Sequence, residues 1–115
     1  MEAVPRKLRY FRAPNGSEPF WDWLDSLGDR TSQARILARL DRLEEGNFGD
    51  HRVVGNGVVE LRVAFGPGYR IYIGEDGPHL VLLLIGGDKR TQQRDIKKAK
   101  GYWDTYRTGG TKSEK

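Results

Sequence analysis

From Val58 to Phe65 the chain alternates, and the alternation stops at Gly66-Pro67-Gly68. Strand side chains repeat with period two. Val59, Leu61, Val63 and Phe65 therefore fall on one side, and Val58, Glu60, Arg62 and Ala64 on the other. Tyr69 to Glu75 returns as a second strand, so the segment predicts a β-hairpin. Asp76-Gly77 turns the chain again into His79 to Ile85, whose apolar run suits a central strand covered on both faces. Gly86-Gly87-Asp88 breaks that pattern.

The hairpin fixes where the charge goes. With Ala64 opposite Arg70, Arg62 stands opposite Tyr72, and Glu60, Arg62, Arg70 and Tyr72 share one face. The other face, Val59 to Phe65 with Tyr69, Ile71 and Ile73, is left for helices. A slip of one residue would drive Arg70 into the core, and the burial cost forbids it.

Upstream, Lys7 to Arg12 reads as a short strand and Ala13-Pro14-Asn15-Gly16 as a turn. Ser17 is placed to cap a short helix carrying Phe20, Trp23, Leu24 and Leu27 on one side, ended by Gly28. Trp21 and Trp23 suit a base-stacking platform, but this spacing suits core packing better, for Trp23 above all. Asp29 caps a second helix with Ile36, Leu37, Leu40 and Leu43 inward and Arg35, Arg39, Arg42 and Glu45 outward, stopped by Gly46. The two should pack as a helical hairpin. Asn47 to Gly57 reads as a glycine-rich loop, and Arg90 to Arg107 as a basic helix with Ile96, Ala99 and Trp103 inward. The expected order is β-α-α-β-β-β-α: an α+β fold with a small, largely antiparallel sheet, a helical hairpin on one face and a C-terminal helix. Helices on one face would leave the charged face open. Residues 1–107 are expected to form one domain and 108–115 a disordered tail.

The chain has 115 residues, 37% of them hydrophobic and 31% charged, which is the balance of a globular domain. It holds no cysteine, so disulfides, zinc knuckles and thiol nucleophiles are excluded. No apolar run approaches a membrane span and no signal-peptide pattern opens the chain, so cytoplasmic residence without membrane contact is expected. Residues 1–87 carry 11 Lys/Arg and 12 Asp/Glu, whereas 88–115 carry 9 and 4. The net charge of +4 thus arises in the last quarter. Clustering of this kind suits a polyanionic partner, and equally a solvated helix with a basic tail.

The charged hairpin face combines groups that phosphodiester chemistry uses. Arg62 and Arg70 offer forked donors to a phosphate and to the charge that develops on it. Glu60 offers a carboxylate to take a proton from a ribose 2′-hydroxyl. Tyr72 offers a ring or a hydroxyl, and Lys89 and Arg90 reach the rim from the end of the central strand. His51 is a further candidate acid or base. The same residues also suit a plain cross-strand ion pair on a solvated sheet. No His, Asp or Glu spacing suggests a metal site. No cofactor is expected, and cleavage would use the RNA's own 2′-hydroxyl.

The motifs Glu60-Leu61-Arg62, Gly68-Tyr69-Arg70 and Gly86-Gly87-Asp88-Lys89-Arg90, in this order after two helices, resemble the RelE/ParE superfamily of toxins. The nearest branch is the phage-derived, HigB-like addiction module killer proteins, and the resemblance spans about residues 7–107. It implies a RelE-like fold and an endoribonuclease toxin that cleaves mRNA on the ribosome, silenced by a helix-turn-helix, HigA-like antitoxin. The family's arginines match Arg62, Arg70 and Arg90, with Glu60 beside them as the first candidate base and Lys89 or Tyr72 as acid. Lys89, Arg94, Lys97, Lys98 and Lys100 would contact RNA or ribosome. Val58 and Glu60 stand where RelE has two lysines, and a position near Ile96 stands where it has a catalytic tyrosine. Two other activities fit the fold: a ParE-like block of DNA gyrase, and nucleic-acid binding without cleavage.

Overall fold

The computed structural model describes residues 4–109. The elements run β1 (Lys7–Tyr10), α1 (Pro19–Ser26), α2 (Arg30–Glu44), β2 (His51–Gly55), β3 (Val58–Val63), β4 (Tyr69–Asp76), β5 (Leu80–Gly87), a 3-10 turn (Lys89–Thr91) and α3 (Gln92–Arg107). The fold is α+β. One five-stranded sheet has the order β1-β5-β4-β3-β2, antiparallel except where β1 pairs with β5 in parallel.

The strand absent from the sequence expectation is β2. Its partner is β3, with His51 opposite Leu61 and Arg52 opposite Glu60. Asn56 and Gly57 connect the two strands at φ 57° and 84°. Two successive left-handed residues make the tight turn whose twist matches a hairpin, which is why Asn-Gly occupies it. A segment read as loop is therefore an edge strand.

The helices are set largely as their signals predict. Asp29 caps α2, accepting from the Thr31 amide at 3.1 Å and the Ser32 hydroxyl at 2.7 Å. The cap of α1 is Glu18 rather than Ser17, with Pro19 in the first helical position. α1 rests on β5 and α2 on β3. Phe20, Leu24, Ile36, Leu40 and Leu43 pack there against Leu61, Ile71 and Leu83. Two assignments on α2 reverse: Leu37 is exposed, and Arg39 is buried. Trp23 packs in this core with Tyr69, and Trp21 meets Tyr10 and Phe20 edge-on, so neither forms a free stacking platform.

The opposite face of the sheet is not open. α3 crosses it and makes a second core from Ala99 and Trp103 with Val58, Tyr72, Leu82 and Leu84. Glycines make room on both faces. A Cβ on Gly74 would lie 2.4 Å from the Trp103 ring, and one on Gly86 2.2 Å from that of Trp23. Gly86 and Gly87 belong to β5 for this reason rather than ending it. The sheet is thus a middle layer, with both faces of β5 buried as its apolar run predicts. Of the expected tail, residues 110–115 lie outside the described residues. No helix among the described residues is long and apolar enough to cross a membrane.

Candidate functional site

Glu60 stands opposite Tyr72 on one side and Arg52 on the other, while Arg62 stands opposite Arg70. The register differs by two residues from the expected one, because pairing ends at Val63–Tyr69 and the loop begins at Ala64. A two-residue offset preserves parity, so the same four side chains still share a face. That face lies under the N-terminal end of α3, and Glu60 is 0% exposed.

The carboxylate is saturated with donors. Its Oε2 accepts from the Gln92 amide at 2.8 Å and the Tyr72 hydroxyl at 3.0 Å. Its Oε1 accepts from Nε of Arg52 at 3.0 Å and of Arg62 at 3.4 Å. Nε of Arg70 lies 3.7 Å from Oε2 as a third ion pair. Burial alone would raise the Glu60 pKa. The hydrogen bonds from Gln92, Arg52 and Tyr72, with the charge of Arg52, outweigh it and hold the group below the usual carboxylate range. Burial, and then the Glu60 charge, push the Tyr72 hydroxyl well up. At neutral pH the pair is an ionised acceptor and a neutral donor.

Three arginines thus surround one carboxylate, and each spends little of itself on it. Arg52 and Arg62 bond through Nε only, with side chains 50% and 40% exposed. Among the described residues no acceptor meets their terminal nitrogens. Arg70 is 12% exposed and donates one terminal nitrogen to the Gly68 carbonyl at 3.0 Å. The arrangement is a cradle with two uncompensated positive charges, its guanidiniums oriented from behind. Such a cradle suits a phosphate or another oxyanion.

The other expected site residues divide. Lys89 is exposed beside Gly68, at the Arg70 end of the cradle. Arg90 turns to Asp88 at 3.2 Å and touches none of the cluster. Arg94 pairs weakly with Asp95 at 3.8 Å, Lys97 and Lys98 are exposed on α3, and Lys100 leans over Gly55 at the end of β2. His51, paired with Leu61, projects from the opposite face of the sheet and bonds the Gly49 carbonyl at 2.8 Å, so it does not join Glu60. Glu60 itself is not an exposed base on an open face, because α3 closes over it. Among the described residues no three His, Asp or Glu side chains are grouped as metal ligands.

Two members were missed by sequence reasoning. Arg52 follows from β2, which Asn56-Gly57 signals. Gln92 lies within the expected helix Arg90 to Arg107, which begins at Gln92 after a 3-10 turn, and it precedes Ile96, Ala99 and Trp103 at helical spacing, so its inward face was readable.

No protein-family model matches the sequence. The chain is similar to an uncharacterized protein of Haemophilus influenzae, 49% identical over 81 residues that cover 70% of this chain and 82% of that protein.

Proposed function

The chain belongs to one family with the Haemophilus influenzae protein, and we propose that this family is a HigB-like branch of the RelE/ParE toxins and that this member cuts messenger RNA. One observation carries the reading. Arg52, Arg62 and Arg70 converge on a single buried carboxylate, while the terminal nitrogens of Arg52 and Arg62 stay available to an anion and Arg70 spends one of its own on the Gly68 carbonyl. Two of the three motifs of the resemblance, Glu60-Leu61-Arg62 and Gly68-Tyr69-Arg70, supply two of those arginines and the carboxylate.

In this reading Arg62 and Arg70 hold the non-bridging oxygens of the scissile phosphate. The ribose 2′-hydroxyl gives its proton to water as its oxygen attacks phosphorus, the bond to the 5′-oxygen breaks, and a 2′,3′-cyclic phosphate and a 5′-hydroxyl are left. Charge accumulating on the phosphoryl oxygens strengthens its bonds to the preset guanidiniums, which is where acceleration arises. Glu60 is a positioning residue, since both its oxygens are engaged and its pKa is held down. Tyr72 stays a neutral donor to it. Lys89, at the rim, is the group assigned to protonate the leaving 5′-oxygen. A partner antitoxin of helix-turn-helix type would silence the toxin.

The saturation of Glu60 also favours a second reading, in which the cradle binds without cutting or the toxin blocks gyrase. A translating extract separates them. Wild-type protein should yield mRNA cut within the open reading frame, and Arg70→Ala should lower cutting at least a hundredfold while the protein stays folded at the assay temperature. Intact mRNA together with blocked supercoiling would put gyrase in its place.

A further inference from the structure

On the other face of β3, between α2 and the end of the hairpin, lies a groove of about 540 Å³ lined by Arg35, Arg39, Arg42, Asp50, Arg62 and Phe65, among others. Arg35, Arg39 and Arg42 follow at i, i+4 and i+7, so they stack on one side of the helix. Like charges at that spacing destabilise a helix unless something offsets them. Among the described residues none of the three forms an ion pair. The floor is Arg39, which is 2% exposed. It donates to the carbonyls of Arg62 and Asp50, both at 3.2 Å, and of Phe48. Its Nη1 is buried with no acceptor. Asp50 moderates the charge without coming within ion-pair distance. At the far wall the Arg35 guanidinium lies over the Phe65 ring, 4.6 Å from its centre.

We infer that this groove is a second phosphate-binding subsite, which takes the backbone of the same single-stranded RNA a few nucleotides from the Glu60 cradle. The inference rests on the RNA reading of that cradle. The two sites meet at Arg62, whose side chain serves the cradle and whose carbonyl is held by Arg39. The first residue of β2, His51, pairs with Leu61, so beyond Arg62 no strand of the sheet flanks the outer edge of β3. A strand of RNA passes from one face to the other around that edge. Arg35 stacked on Phe65 offers a planar face to a base, and Arg42 offers forked donors to the adjoining phosphate. An acidic peptide would use the charge but not the stacked face.

The test uses the full chain and a twelve-nucleotide single-stranded RNA with 2′-O-methyl groups, which cannot be cut. Binding is followed by fluorescence anisotropy across a salt series. Arg39 is left intact because its bonds hold the loop. Arg35 and Arg42 are exposed, so Arg35→Gln/Arg42→Gln should fold with an unchanged melt. That variant should bind about tenfold more weakly. Its slope of log affinity on log salt should fall by about 0.7, the value for the one phosphate contact to a single strand that Arg42 makes. Wild-type affinity and slope in this variant would overturn the subsite. So would a polyglutamate peptide that needs Arg35 and Arg42 while the RNA does not. Failure of the cradle reads differently: Arg52→Gln/Arg62→Gln would then bind like wild type, with the Arg35/Arg42 dependence still present.

Discussion

Glu60 has no contact with solvent and spends both oxygens on five neighbours, a costly site for a carboxylate unless its charge is needed. The need is electrostatic: without it, Arg52, Arg62 and Arg70 would repel one another across two strand pairs. Because the folded pKa is lowered, the folded state binds this proton less readily than the unfolded chain. The contribution to stability is therefore fully present above the ordinary Glu pKa of about 4.3 and is lost as pH falls through the lower folded value. Glu60→Gln should flatten the acid limb of melting temperature against pH and cost about 3 kcal/mol at neutral pH. Parallel acid limbs in the two proteins would show that the stabilisation lies elsewhere. That Glu60, Arg62, Arg70 and Tyr72 share a face was legible from strand parity alone. That the face is covered was not, because nothing local in β3 or β4 records which element packs over it.

At the scale of elements, α3 does two jobs. It closes the second core through Trp103, and it delivers Gln92 to Glu60. Trp103 sits where a side chain at Gly74 would be, so the docking of α3 depends on that glycine. Gly74→Ala should cost about 1–3 kcal/mol, the range for overpacking a filled core, and should weaken RNA binding through loss of the Gln92 bond. Gly101→Ala on the same helix, where a Cβ meets nothing within 4 Å, should instead stabilise by about 0.5–1 kcal/mol. Denaturant midpoints of the two variants check the contrast, and equal shifts would refute it. The β2 hairpin shows the limit of pattern reading. Its Asn56-Gly57 turn is a strong signal, but the exposed Val53 on an edge strand gives no apolar alternation to support it.

For the whole molecule, dividing the charge along the chain misdirects. The last quarter carries the formal excess, yet the clustered arginines with unclaimed nitrogens belong to α2, β2, β3 and β4. The acidic residues that balance them in the count, such as Asp22, Asp25, Asp41 and Glu44, are exposed on the helices. Charge summed over sequence does not report charge summed over a surface. Two positive faces meeting at Arg62 make one continuous path, and binding should weaken steeply with salt. The central claim is that the arginines around Glu60 grip RNA phosphate. It is tested most directly by following the Nε–H resonances of arginine in 15N-labelled protein as 2′-O-methyl RNA is added. Signals of Arg52, Arg62 and Arg70 should move together and saturate, while that of Arg12, paired with Glu18 on a separate surface, stays still. RNA that binds with all three cluster signals unmoved would contradict the account.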